Sequence, residues 1–365
     1  MKHKKTNLHD SKILALVIIT LIFERLYNFS EISGKFSGFV AIICFAIGLI
    51  VTIKQESGTL KLDFIKAGIL IPYYPSFETI RYFLFFGLPS LWGKFYFKNQ
   101  LYLYKIIVLV SLLFVVYEKV SGSPRVDGFM YSPTIFSCIL LISIYAILMI
   151  KEVSKLKIFY VLASLYMIFE TKSSSIILVA VLIILYKIYI LIKNKIKFQN
   201  KISRNLSYAI IFSIVIISSI FITNNVKSVL SIVGRDNREQ STETRIEYIN
   251  DFTNILVSNP RTFLIGNGGG FTQQEINRNS RSENFFPLHQ DILMLLCDYG
   301  LIGFILILIL FIKKLHLNYI SILILILLSF HNLVLTSQVF LLLIITNNRI
   351  NHDYNFEKLP GYYNA

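Results

Sequence analysis

The sequence predicts an all-α polytopic membrane protein of about twelve spanning helices, interrupted once by a large polar loop. Three observations carry that prediction. Of the 365 residues, 55% are hydrophobic and only 16% charged, with a mean hydropathy of +0.63. That is more apolar surface than one soluble core of this size can hide. The apolar residues also fall in blocks of roughly 15–20, about the length of a helix crossing a ~30 Å hydrocarbon layer. In lipid every backbone amide must bond within its own segment, so such blocks form helices rather than open strands. The alternation expected of a barrel strand is absent. The third observation is where the charges lie.

A formal net charge of +15 suggests nucleic acid until the charges are mapped. Lys2, Lys4, Lys5 and Lys12 mark the N-terminal arm, and Lys151, Lys155 and Lys157 a second basic segment. Six basic residues and no acid lie between Lys187 and Arg204, and Lys313 with Lys314 mark a fourth segment. Lysine and arginine thus concentrate in alternate loops, as the positive-inside rule requires of cytoplasmic loops. No nucleic-acid partner is implied. Cys44, Cys138 and Cys297 lie in or beside apolar segments and read as small core residues, not as disulfides or a metal site. The basic start followed by an apolar run from Ile13 to Phe23 is signal-like. It continues into Glu24-Arg25-Leu26-Tyr27 without a small-residue cleavage pattern and reads as an uncleaved first span.

In order, the spans are expected at 12–28, 36–53, 63–78, 81–97, 101–118, 129–150, 157–171, 174–192, 206–223, 288–312, 318–331 and 333–347. Residues 1–223 then carry spans one to nine, and residues 288–347 carry spans ten to twelve. Residues 348–365 form a cytoplasmic tail, and both termini face inward. No internal repeat is visible, which disfavours a transporter built from duplicated halves.

The loop at 224–287 is placed on the external face and is expected to contain short helices. Its seven basic residues are balanced by seven acidic ones, and six of the seven basic residues are arginine. Arginine presents a planar fork of donors that grips phosphate or carboxylate in two places. Thr242 to Val257 reads as a helix, with Ser241 or Thr242 as cap and Glu243 in its first turn. Ile246, Ile249, Phe252 and Leu256 recur at helical spacing and form a stripe that can lie on the embedded core. Pro260 ends this helix. The glycine cluster Gly266-Asn267-Gly268-Gly269-Gly270 follows, then Pro287-Leu288-His289-Gln290-Asp291 at the mouth of the next span.

Arg245 in a loop helix, the glycine cluster, the proline-histidine entry and Tyr299-Gly300-Leu301-Ile302-Gly303 together resemble the O-antigen polymerase and ligase superfamily. Arg125-Val126-Asp127-Gly128 running to Pro133 resembles that family's arginine-glycine-proline entry into a middle span. Glu170-Thr171-Lys172-Ser173-Ser174-Ser175 resembles its serine-rich, basic entry two spans later. The resemblance covers roughly residues 120–312. Lys172 stands where the family usually has arginine, Tyr248 and Ile249 where a tryptophan is common, and Gln290 where asparagine is common.

The resemblance implies an enzyme of the bacterial inner membrane that joins undecaprenyl-diphosphate-linked oligosaccharides at the periplasmic face. It implies inverting transfer with neither metal nor cofactor, and a chain-length regulator and a flippase as partners beside the lipid bilayer. A leaving diphosphate must then be stabilised by cations. Each charge-assisted bond contributes about 1.5–3 kcal/mol, and a well-placed arginine on phosphate supplies on the order of 10³-fold in rate. Arg245 is the candidate for that role, with Arg125, Lys172 and Arg235 as further binding residues. His289 is the candidate general base, worth about 10²–10⁴-fold. The start of a helix disfavours an imidazolium and keeps such a base neutral. Asp291 and Asp298 are both placed to orient it, and the sequence leaves that choice open. Gly268 and Gly269 let backbone amides approach an anion.

Each element has a plainer reading. A loop arginine is usually a solvated or paired charge, a glycine cluster a turn, and an interfacial histidine a helix anchor. His331, Glu24, Asp63, Glu118 and Glu170, in or at the ends of spans, stay unassigned. Polymerisation of repeat units is the leading function. A ligase moving finished glycan to a lipid acceptor shares its donor chemistry, and a lipid-linked oligosaccharide flippase is the non-enzyme alternative.

Overall fold

The computed structural model describes residues 100–130, 132–150, 156–195, 239–279, 291–315, 319–327, 331 and 337–356. The spans expected at 12–28, 36–53, 63–78, 81–97 and 206–223 lie outside the described residues, as do Arg235 and His289.

Ten helices and no strand are found among the described residues. They are α1 Gln100–Val120, α2 Pro133–Met149, α3 Lys157–Glu170, α4 Ser174–Lys195 and α5 Glu239–Ser258. After them come α6 Pro260–Ile265, α7 Phe271–Asn279, α8 Asp291–Leu315, α9 Tyr319–Leu327 and α10 Ser337–Phe356. Helix α1 is long and apolar enough to cross a membrane. Each expected span within the described residues coincides with a helix to within a few residues, except that α10 continues to Phe356.

Helix α2 is the hub, packed by α1, α3, α4 and α10. It is apolar all round, as a helix surrounded by others must be, and Phe136 to Ile147 are buried without a break. Its two buried serines are satisfied within the helix, Ser143 donating to the Ile139 carbonyl at 2.9 Å and Ser137 to that of Pro133 at 2.6 Å. Pro133 occupies the first turn, where its missing amide costs nothing, and Ser132 caps the helix through the Ile135 amide.

The surrounding helices bury some polar residues and expose many large apolar ones. Helix α1 buries Gln100, Ser111 and Glu118 and exposes Tyr102, Leu109, Leu113, Val116 and Val120, one stripe at helical spacing. Helix α3 buries Ser164 and exposes Ile158, Leu162, Tyr166 and Phe169. Leu113 and Ile158 are more than two-thirds exposed, at 71% and 72%. Contiguous apolar stripes of this kind suit lipid or further helices, not water.

Polar contacts fix the ends. Gln100 donates to the Tyr104 hydroxyl at 2.9 Å, and that hydroxyl bonds Thr346 of α10. Asn347 donates to Ser321 of α9 at 2.7 Å, and Tyr319 of α9 stacks on Tyr186 of α4. The start of α1 therefore lies beside the later part of α10, and the end of α1, with the α1–α2 loop, lies at the opposite end of the bundle.

Candidate functional site

At that opposite end the two middle entries are bonded to each other. The Glu118 carboxylate, at the end of α1, accepts the amides of Asp127 and Gly128 at 2.9 and 3.1 Å. This folds the α1–α2 loop back over the helix end. Arg125, in that loop, donates from Nε to the Thr171 carbonyl at 2.8 Å, and the Val126 amide reaches the Glu170 carbonyl at 3.4 Å. Lys119 and Glu170 form an ion pair beneath them. Arg125 and Lys172, 47 positions apart in sequence, thus belong to one assembly. Lys172 adopts a left-handed conformation, with φ +53°. It follows Thr171 at the end of α3, a position where glycine is usual because a side chain there costs about 1–2 kcal/mol.

The large loop is fastened differently. Helix α5 begins at Glu239, three residues before the predicted start, and includes Arg245, whose side chain lies outside what is described. The predicted stripe is present where it is described: Phe252 and Leu256 are buried and Ile249 packs against the core. Helix α5 lies on α8, and Cys297 of α8 donates to the Phe252 carbonyl. Pro260 not only ends α5 but begins α6, with Asn259 capping through the Arg261 amide at 2.9 Å.

The glycine cluster then wraps the middle of α8. Helix α8 is kinked at Gly300, which has φ +66° and ψ −178°. Beside the kink, the carbonyls of Cys297 and Asp298 accept the amides of Asn267 and Gly268 at 2.9 and 2.8 Å. Backbone meets backbone here. A Cβ on Gly300 would stand 2.5 Å from the Gly266 nitrogen, and one on Gly266 would stand 2.5 Å from the Gly300 nitrogen. The buried Asp298 carboxylate completes the clasp, accepting the Gly270 amide at 2.9 Å, the Thr272 amide at 2.8 Å and the Thr272 hydroxyl at 2.5 Å. Three donors on one carboxylate compensate much of its burial.

The amides of Gly268 and Gly270 both donate to Asp298, the first to its carbonyl and the second to its carboxylate. The clasp also commits both Asp298 oxygens to the glycine turn. Asp291 is buried in the first turn of α8, where a carboxylate complements the helix dipole.

Residues 159–308 match the family model described as O-antigen ligase. That match supports membership of the O-antigen polymerase and ligase superfamily. The match runs from α3 through the kink of α8, so it contains Lys172, Arg245, the glycine clasp and Asp298. Arg125 and His331 lie outside it. A search of curated proteins gave no match, nor did a search of solved structures. The family match supports a membrane protein of polysaccharide biosynthesis, and the matched family implies lipid-linked oligosaccharide substrates.

Sequence reasoning missed two features of this chain. Asp298 emerges as the centre of a clasp, and Ser175 Oγ lies 2.5 Å from His331 Nε2. Asp298 was considered only as an orienter of His289, and His331 was left unassigned, although ionisable residues in apolar surroundings are expensive and so usually have partners. The partners themselves, 26–28 and 156 positions away, are invisible to local pattern.

Proposed function

We propose that this chain polymerises undecaprenyl-diphosphate-linked oligosaccharide repeat units into O-antigen or capsular polysaccharide at the periplasmic face of the inner membrane. The observation that carries the reading is the clasp on α8. It ties the loop bearing Arg245 to residues 297–298, while the same chain returns through His289 to the start of α8 at Asp291. Gly270 and Thr272 are thereby bound to the same helix whose first residue, Asp291, follows His289 by two positions in the sequence.

In this reading the bundle has twelve spans, both termini are cytoplasmic, and residues 224–287 are periplasmic. His289 takes the proton of the acceptor sugar hydroxyl. The resulting oxygen attacks the anomeric carbon as the bond from that carbon to the diphosphate oxygen breaks, which inverts the centre. Arg245, with Arg125, Lys172 and Arg235, compensates the charge that develops on the leaving undecaprenyl diphosphate. Asp291 is the carboxylate left to orient His289, because Asp298 is occupied by the clasp.

The family description itself favours a second reading, the ligase that moves finished glycan to a lipid acceptor. The glycan profile of a strain lacking this chain separates the two. Acceptor carrying a single repeat unit is the expected result. Free lipid-linked polymer beside bare acceptor would make the chain a ligase, and donor trapped on the cytoplasmic side a flippase.

A further inference from the structure

Helix α8 changes its surroundings at Gly300. Before the kink it is packed by α5, α6 and α7, and Leu293 to Leu295 and Cys297 to Tyr299 are buried. Beyond the kink, Ile302, Ile305, Leu306 and Ile309 are exposed as one stripe at helical spacing. In a chain whose family match supports a membrane protein, such a stripe suits lipid. Yet this part of α8 is too short to cross a bilayer. Even counted from Leu301 to its end at Leu315, it is only about 22 Å long, against a hydrocarbon layer of ~30 Å. The remaining roughly 8 Å of that layer falls at the level of α6, whose end is packed on the kink. A Cβ on Gly300 would stand 2.5 Å from the nitrogens of both Ile265 and Gly266.

Helix α6 is polar where it starts and apolar where it meets α8. Ser258, Asn259 and Arg261 are exposed at its start, and Phe263, Leu264 and Ile265 at its end, Ile265 by 62%. No charge occurs from Thr262 to Gln274, in a loop that carries seven basic and seven acidic residues. Irregular backbone at membrane depth is tolerated only where the protein itself satisfies its polar groups. The clasp does this: the amides of Asn267, Gly268, Gly270 and Thr272 all donate to Cys297 or Asp298 of α8.

We propose that residues 260–271 are a re-entrant segment of the large loop, with Phe263, Leu264 and Ile265 seated among the acyl chains of the adjoining leaflet. The partner is lipid hydrocarbon, because these side chains continue the exposed apolar stripe of α8 across Gly300. Arg261 then stands near the headgroups, since α6 is about 9 Å long. Helix α5, separated from α6 by Asn259 alone, is thereby held at the bilayer surface. The insertion belongs to the loop whichever glycan reaction the chain performs.

The test uses the full chain in phosphatidylcholine nanodiscs. Trp92 is the sole tryptophan, so a Trp92→Phe background makes each added tryptophan a single reporter. Three reporters are compared: Leu264→Trp on α6, Ile305→Trp on the α8 stripe and Thr253→Trp on the exposed side of α5. Phosphatidylcholine brominated on its acyl chains quenches from the hydrocarbon, and iodide quenches from water. Leu264→Trp should lose its emission to the brominated lipid as fully as Ile305→Trp does, and lose little to iodide. Thr253→Trp should show the reverse. Phe263→Trp replaces Leu264→Trp if thermal unfolding shows the latter to be misfolded. Quenching of the α6 reporter by iodide rather than lipid would mean that α6 stands in water. Quenching by neither would mean that another part of the chain, or a second copy, covers it. Either result would overturn the insertion, as would an Ile305→Trp reporter shielded from lipid. Lipid quenching of Thr253→Trp would put α5 in the bilayer as well and overturn a segment confined to 260–271.

Discussion

The two loop assemblies do the same mechanical job with opposite materials. Around Arg125 and Lys172, side chains do the fastening: Glu118 gathers two amides, Arg125 holds a carbonyl and Lys119 pairs with Glu170. Around Asp298, backbone does most of it, and glycine occupies the positions where the chain is left-handed, at 266, 268, 270 and 300. The contrast is sharpest at Lys172, which adopts the same kind of backbone conformation without being glycine. The clasp shows how this chain treats a left-handed residue whose only task is structural. By that standard the Lys172 side chain is present for something other than the turn.

The largest expected effect is at the clasp. Gly300→Ala adds a Cβ to a left-handed residue already in contact with Gly266, so strain and overpacking together should cost about 2–5 kcal/mol. Protein level and unfolding temperature in a nanodisc should both fall, and a variant as stable as the parent would mean the kink can relax. Asp298→Ala should cost a comparable amount, about 2–5 kcal/mol, because it strands the buried amides of Gly270 and Thr272. Asp298→Asn keeps the shape but turns an amide donor toward one of those N–H groups, and should fall between the two proteins.

Arg245→Ala should abolish polymer in cells while the protein level stays near normal, the reverse of the glycine result. Arg245→Lys should recover only part of the activity, since lysine keeps the charge but not the fork. Full activity in the alanine variant would remove Arg245 from the leaving-group role. The smallest stability effect, and the most discriminating, is at Lys172. Lys172→Gly should leave stability unchanged or raise it by up to about 1 kcal/mol by relieving the left-handed strain, yet lower polymer output sharply. Unimpaired polymer in that variant would reduce Lys172 to a helix terminus.

The same contrast governs what the sequence revealed. Helices α1 to α4 and α8 were legible because each is an apolar run bounded by charges or by proline and glycine, and such boundaries are local. The Phe252 and Leu256 stripe was legible for the same reason, through its period. The start of α6 was misread as a mere stop, although Asn259 followed by proline is a local helix-start signature. The role of Asp298 was not legible, since a carboxylate in an apolar run looks alike whether it grips a glycine turn, a histidine or a partner chain. The glycine cluster was recognised as a place of close approach, and at Gly266 the group that approaches is the backbone of α8. His289 and Arg235, outside the described residues, remain proposals that rest on the sequence resemblance alone.

The central claim, that this chain joins lipid-linked repeat units through a base at His289, is tested most directly with purified protein in nanodiscs. The substrate is a synthetic undecaprenyl-diphosphate-linked repeat unit, given with no lipid A acceptor. The account predicts a ladder of products, each one repeat unit longer, with one undecaprenyl diphosphate released per step. His289→Gln should slow the ladder by about 10²–10⁴-fold, which is ~3–5 kcal/mol of barrier. A folded parent protein that leaves the repeat unit unextended, or a glutamine variant that builds the ladder at the parent's rate, would contradict it.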